Sequence, residues 1–231
     1  MGSALVLAGE SAAVLDRLQD VRAAFTAAEH ARAGRFRSPA ARDDYVAAHL
    51  LVRSCAARVA GVPPTSLTLR HLCPGCGGSD HGQPYVPELP GISVSLSHTR
   101  GHVAAVAGEG DVAVDAEAVR PGAPSAAVCR QALTAAEAAA VVADTRPGVA
   151  FALRWTYKEC IVKLGEASLG TLHHIETPSG LFPADIPVQH AGRWVLQWGA
   201  DQGTVCGTAL TSGIPALENL NTCNMPTLRR C

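Results

Sequence analysis

The chain has 231 residues, 48% hydrophobic and 17% charged, with 19 basic against 20 acidic side chains and a net charge of −1. That is enough apolar content for a buried core, too little charge for a disordered chain and too little positive charge for a nucleic-acid-binding domain. No run approaches the length of apolar residues that a membrane helix needs, so the expectation is a protein with no membrane partner.

The first ten residues, MGSALVLAGE, lack a basic leader segment and place Val6 where a myristoylation signal needs Ser or Thr. They predict a cytoplasmic protein with reduced thiols, whose eight cysteines act mostly as small apolar residues. Phe25-Thr26-Ala27-Ala28-Glu29 follows, an apolar residue and then Thr-x-x-Glu, which is a capping-box helix start with a possible hydrophobic staple. An apolar helix is predicted over 45–60. The segment HLCPGCGGSDHG over 71–82 holds His71, Cys73, Cys76 and His81. A single C-x-x-C is ambiguous. An ordinary loop with incidental cysteines is the expectation, and a zinc site is the alternative.

Segments 92–96 and 102–107 flank SHTRG and read as a hairpin, with a boundary near 108–110. Segment 111–117 is a further strand. In VAVDAE the period of two sends Val112, Val114 and Ala116 to one face and Ala113, Asp115 and Glu117 to the other. Two carboxylates side by side are either a solvated strand face or a site for a hard cation.

The capping-box pattern returns as Leu133-Thr134-Ala135-Ala136-Glu137, again followed by an apolar helix, over 151–164. Arg53 and Arg58 of the first helix match Lys158 and Lys163 of the second, which points to an internal duplication. These are the only lysines, and the other 17 basic residues are arginine. Glu159 and Lys163 share a helix face at i and i+4. An ordinary ion pair explains their spacing but not the choice of lysine, a compact cation that can lose its proton. Trp155 lies one turn before Glu159 and is expected to orient it. Lys158 lies about 140° around the helix from Lys163 and is assigned a bridging or structural role. Segments 194–199 and 204–210 predict a second hairpin. The tail from Ser212 lacks periodicity and is expected to be an extension with little core.

Helices and strands are segregated, which favours α+β over a doubly wound fold. The expected organisation is an N-terminal half over 1–109, a C-terminal half over 110–211 and an extension over 212–231.

Taken together these pieces resemble the 4′-phosphopantetheinyl transferases, in particular the larger, pseudo-dimeric kind typified by the surfactin-synthetase activator. The family's V-G-V-D-x-E strand is matched by VAVDAE, with Ala113 for Gly. Its W-[ST]-x-K-E-[AS]-x-x-K helix is matched from Trp155 to Lys163, apart from Cys160. Its S-x-S-H segment is matched by Ser95 to His98, and its G-[KR]-P segment by Gly82-Gln83-Pro84. Arg32 stands four residues before Phe36, where members place a basic contact.

The resemblance implies two similar α+β halves in pseudo-twofold arrangement with the ligand between them. It implies Mg²⁺-dependent transfer of phosphopantetheine from coenzyme A to a serine of an apo acyl or peptidyl carrier protein, with Mn²⁺ a substitute metal. It also implies roles, with Asp115, Glu117 and Glu159 holding the metal, and Asp115, Glu159 and Lys163 catalytic. Arg32, Gln83, Pro84, Ser97, His98, Asp115, Ala116 and Lys163 would contact coenzyme A. The protein is expected to act as a monomer in polyketide, nonribosomal-peptide or fatty-acid synthesis. The other classes weighed are a Mg²⁺-dependent hydrolase of another diphosphate, a non-catalytic binding relative and a zinc-ribbon interaction module.

Overall fold

The computed structural model describes residues 3–73, 75–79, 81–179, 185–200 and 203–221. The chain opens with β1 (Ser3–Glu10), α1 (Ser11–Arg17), α2 (Ala27–Gly34) and the long α3 (Pro39–Ala60). The short hairpin β2 (Arg70–Leu72) and β3 (Gln83–Tyr85) precedes the longer hairpin β4 (Ser93–Thr99) and β5 (His102–Gly108). Then come β6 (Val112–Ala118), α4 (Ala126–Ala132), α5 (Ala135–Ala143) and α6 (Pro147–Lys163). The strands β7 (Val188–His190), β8 (Arg193–Ala200), β9 (Val205–Thr211) and β10 (Ile214–Asn219) complete it. This is the α+β class expected from the pattern.

Two four-stranded sheets carry the molecule, ordered β10-β1-β5-β4 and β6-β9-β8-β7. Each contains the same connectivity: a first strand lies antiparallel to the last strand of a hairpin, β1 beside β5 and β6 beside β9. Helix α3 covers the first sheet, where Leu51, Val52, Cys55 and Ala56 pack on Leu7, Val103 and Ala105. Helix α6 covers the second, where Tyr157, Cys160 and Ile161 pack on Ala113, Val195 and Leu210. A third cluster lies between the sheets and joins Val6, Ala104 and Val106 to Val112, Val114, Ala116 and Trp198. Gly207 is needed there because a Cβ on it would lie 2.1 Å from the Trp198 ring.

Both capping boxes form. The Thr26 and Thr134 side chains each accept from the N3 backbone amide, and Glu29 and Glu137 each accept from the N-cap amide. Each glutamate then has a second task, because it is the buried counterion of a cation on the long helix. Arg53 meets Glu29 at 2.5 Å and Lys158 meets Glu137 at 2.5 Å, both cations being fully enclosed. Burial alone would raise Glu29, but bonds from His49 and Arg53 overcome it and hold the carboxyl down to about 2. The echo noticed in the sequence therefore marks one contact built twice.

Two expectations are corrected. The chain after Ser212 is not a bare extension: β10 pairs in parallel with β1, and Leu220 is 2% exposed within the first core. Its composition hid this because an edge strand with one buried face can be short and polar. Residues 222–231 lie outside the described residues. The opening segment, read only for a leader, forms β1, buried between β5 and β10.

Candidate functional site

The site is built where β6 meets β4 and α6. β6 is an edge strand of its sheet, so its outward amides need partners. The side chains of β4 supply them at the strand period of two. The amides of Val114, Ala116 and Ala118 donate to the hydroxyls of Ser95, Ser97 and Thr99, each at 3.2 Å. This hydroxyl ladder ties the two halves together and sets the register of VAVDAE.

Asp115 is not on a solvated face. It is 7% exposed and lies under α6. Its Oδ1 accepts from Ser97 Oγ at 2.9 Å and from Lys163 Nζ at 2.8 Å. Lys163 Nζ also donates to the Val114 carbonyl at 2.7 Å. The helix thus reaches across the edge of β6 with the lysine, and Lys163 pairs with Asp115 rather than with Glu159 one turn before it. Glu159 and Glu117 are both half-buried near Asp115. Burial first, and then the Asp115 and Glu117 charges, push the Glu159 carboxyl above its ordinary value, against the pull of Lys163. Burial and then Asp115 push Glu117 up in the same way.

The donor set suits a hard divalent cation, which takes carboxylate oxygens. Asp115 Oδ2 carries no hydrogen bond among the described residues. Asp115 is close enough to Glu117 and Glu159 to disfavour the charge on those two. Their oxygens have not closed into a tight cage: among the described residues, only Cys73, Cys76 and His81 bring three such donor atoms within 4.8 Å of one another.

The remaining expected contacts fall as follows. Ser97 is turned inward and is committed to Asp115 and the Ala116 amide, so it positions the carboxylate rather than facing solvent. Ala116 sends its methyl into the core between the sheets, 2% exposed, which leaves it no side chain for a ligand. His98 stands at the exposed end of β4. Crowding by the surrounding protein, and then the nearby Lys163 ammonium, hold its basicity down, against Asp44 and Asp115. Gln83 donates from Nε2 to the Lys163 carbonyl at 2.9 Å, so β3 secures the end of α6. Pro84 follows it in β3, opposite His71. Arg32 is exposed on α2 with its guanidinium 5.9 Å from the Phe36 ring, and no contact among the described residues links it to Asp115. Trp155 does not orient Glu159; it stacks on Phe151 at 6.0 Å and packs toward α4 and α5. Lys158 is structural, donating to Ala132 and Leu172 carbonyls as well as Glu137.

Sequence reading missed Asp44. It is buried on α3 and accepts from Ser11 Oγ at 2.6 Å and from the Gly101 amide at 3.1 Å, which pins the turn after His98. No local pattern announces it. Sequence reading places Ser95 in the S-x-S-H match but gives neither it nor Thr99 a role, although the alternation S-x-S-x-T at strand period carried the signal.

Residues 111–209 match the model of the 4′-phosphopantetheinyl transferase superfamily. The match runs from the start of β6 into β9 and includes Asp115, Glu117, Glu159 and Lys163, so this part of the chain is similar to that superfamily, a class of transferases. No curated protein matches the chain. Among the described residues no helix is long and apolar enough to cross a membrane.

Proposed function

We propose that the protein transfers the 4′-phosphopantetheine arm of coenzyme A to a serine of an apo acyl or peptidyl carrier protein, as the pseudo-dimeric members of the superfamily do. The observation that carries this reading is Asp115. It is a buried carboxylate fixed by Ser97 of the first half and Lys163 of the second, with Glu117 and Glu159 beside it. The strand connectivity shared by the two sheets supports the reading of two halves, over 1–109 and 110–211, in pseudo-twofold arrangement with the ligand between them.

In the reaction the carrier serine Oγ forms a bond to the phosphorus that bears pantetheine. The bond from that phosphorus to the bridging oxygen breaks, and adenosine 3′,5′-bisphosphate leaves. Glu159, whose raised proton affinity suits a proton acceptor, takes the serine proton. Lys163 sits on Asp115 with its ammonium part exposed and offers charge to the departing phosphate. Asp115, Glu117 and Glu159 would hold Mg²⁺, which supplies charge neutralisation to the diphosphate. Ser97 keeps Asp115 in place. His98 and Arg32, both exposed, are the candidates for the nucleotide's phosphates.

The test is intact-mass measurement of an apo carrier protein after incubation with the protein, coenzyme A and Mg²⁺. A mass gain equal to one phosphopantetheine, absent with Asp115→Asn of unchanged circular dichroism, is expected. No gain on any of several acyl and peptidyl carriers would overturn the reading. Release of the bisphosphate without carrier would mark the protein instead as a hydrolase.

A further inference from the structure

The loop between β2 and β3 brings Cys73, Cys76 and His81 together, with one donor atom from each inside 4.8 Å of the others. Cys76 Sγ lies 3.4 Å from His81 Nε2. In a tetrahedral zinc site, with Zn–S about 2.3 Å and Zn–N about 2.0–2.1 Å, a sulfur and a nitrogen ligand stand about 3.5 Å apart. The pair is therefore already spaced as one edge of such a tetrahedron.

The backbone around these atoms is closed. The Cys73 amide donates to the Gly78 carbonyl, the Gly77 amide donates to the Cys73 carbonyl, each at 2.8 Å, and the Gly78 amide points at Cys76 Sγ at 3.4 Å. Gly82 has φ +99°, and a Cβ there would lie 2.4–2.6 Å from the Leu72 carbonyl and the Cys73 backbone. Only glycine allows the chain just after His81 to fold back onto Cys73. Core packing does not account for the cysteines. Cys76 and His81 are exposed and Cys73 is partly so, whereas Cys55, Cys129, Cys160 and Cys206 are buried.

We propose that Cys73, Cys76 and His81 bind one zinc(II) ion that staples the tip of the β2–β3 hairpin. Two thiolates and an imidazole are the soft and borderline donors that zinc selects. Binding displaces the two thiol protons to solvent and uses the neutral imidazole. His71, the fourth candidate in the sequence, is not a ligand: its ring lies 5.7 Å from that of His49, packed toward α3. The described residues thus supply three ligands, and the fourth position is open to solvent or a small ligand. The staple bears on the site because Gln83, two residues after His81, holds the Lys163 carbonyl. The proposal does not depend on the transfer reaction.

The test uses the full chain purified in reductant and dialysed against stoichiometric zinc(II), with metal measured by elemental mass spectrometry. About one zinc per chain is expected. It should be retained by His71→Ala and lost from the double variant Cys73→Ser, Cys76→Ser. Cobalt(II) in place of zinc should give a thiolate charge-transfer band that the double variant lacks. Both cysteines can be changed without opening the core, so circular dichroism should be unchanged in that variant. Folded wild-type protein that takes up no zinc overturns the proposal, as does a double variant that keeps it.

Discussion

The two lysines differ in what surrounds them. Lys158 has three protons and three convergent acceptors, the Ala132 and Leu172 carbonyls and Glu137, at 2.5–3.0 Å. Arg53, its counterpart, faces acceptors that are spread out, on His49, Leu67 and Glu29, which a guanidinium fork can span. Lys158→Ala is therefore expected to cost about 3–5 kcal/mol, since it leaves Glu137 charged and buried. Lys158→Arg should cost about 1–3 kcal/mol by overpacking a fully enclosed position. Urea unfolding measures both, and a loss below about 0.5 kcal/mol for either would contradict the enclosed geometry. Glu159 carries the opposite sign. Its folded carboxyl is raised, so the fold binds its proton more tightly than the unfolded chain, and stability falls as pH rises from 4.5 through the folded value. Glu159→Gln removes that penalty. The variant should melt higher than wild type at neutral pH, with the gain vanishing below pH 4.5, while phosphopantetheine transfer is lost. A lower melting temperature would show that Glu159 has a stabilising partner instead.

At the scale of elements, the contact between β4 and β6 is made by side chains on one strand and backbone on the other. A hydroxyl that accepts a buried amide is costly to remove, at about 1–3 kcal/mol for the orphaned group. Ser95→Ala and Ser97→Ala should both destabilise by that amount, because they orphan the Val114 and Ala116 amides. Only Ser97 also holds Asp115. Ser97→Ala should therefore lower kcat for transfer, and Ser95→Ala should leave it near wild type. Chemical denaturation and carrier modification rates separate the two effects. Equal kinetic losses in both variants would mean the ladder acts only as a support.

At the scale of the molecule, the two halves are not independent. The chain crosses back after β9 so that β10 adds to the first sheet beside β1, and Glu218 on β10 pairs with Arg58 of α3 at 2.6 Å. Leu220 fills the first core. Truncation after Thr211 should expose one edge of β1, remove Leu220 and leave Arg58 without Glu218. The truncated protein is expected to aggregate or to lose its cooperative melt. Leu220→Ala alone should cost about 2–4 kcal/mol. A truncated chain that melts as the full one would show that β10 is dispensable.

The sequence by itself determined the class of fold, the two capping boxes, both long helices, both long hairpins and the alternation of VAVDAE. These depend on neighbours within a few residues, where periodicity and capping chemistry are explicit. Spacing alone put Asp115 and Glu117 on one strand face and Glu159 and Lys163 on one helix face, and only the family resemblance implied that the two pairs meet. The tertiary structure alone decided the rest. Whether Lys163 meets Glu159 or Asp115 depends on how far α6 sits from β6, and no helical spacing encodes that distance. Ser97 turns to Asp115, and Asp44 to the Gly101 amide, because unpaired amides and carboxylates from distant segments meet there. β1 went unassigned and β10 read as part of a tail because the two pair with each other from opposite ends of the chain, and a strand's burial is set by what pairs beside it rather than by its own letters.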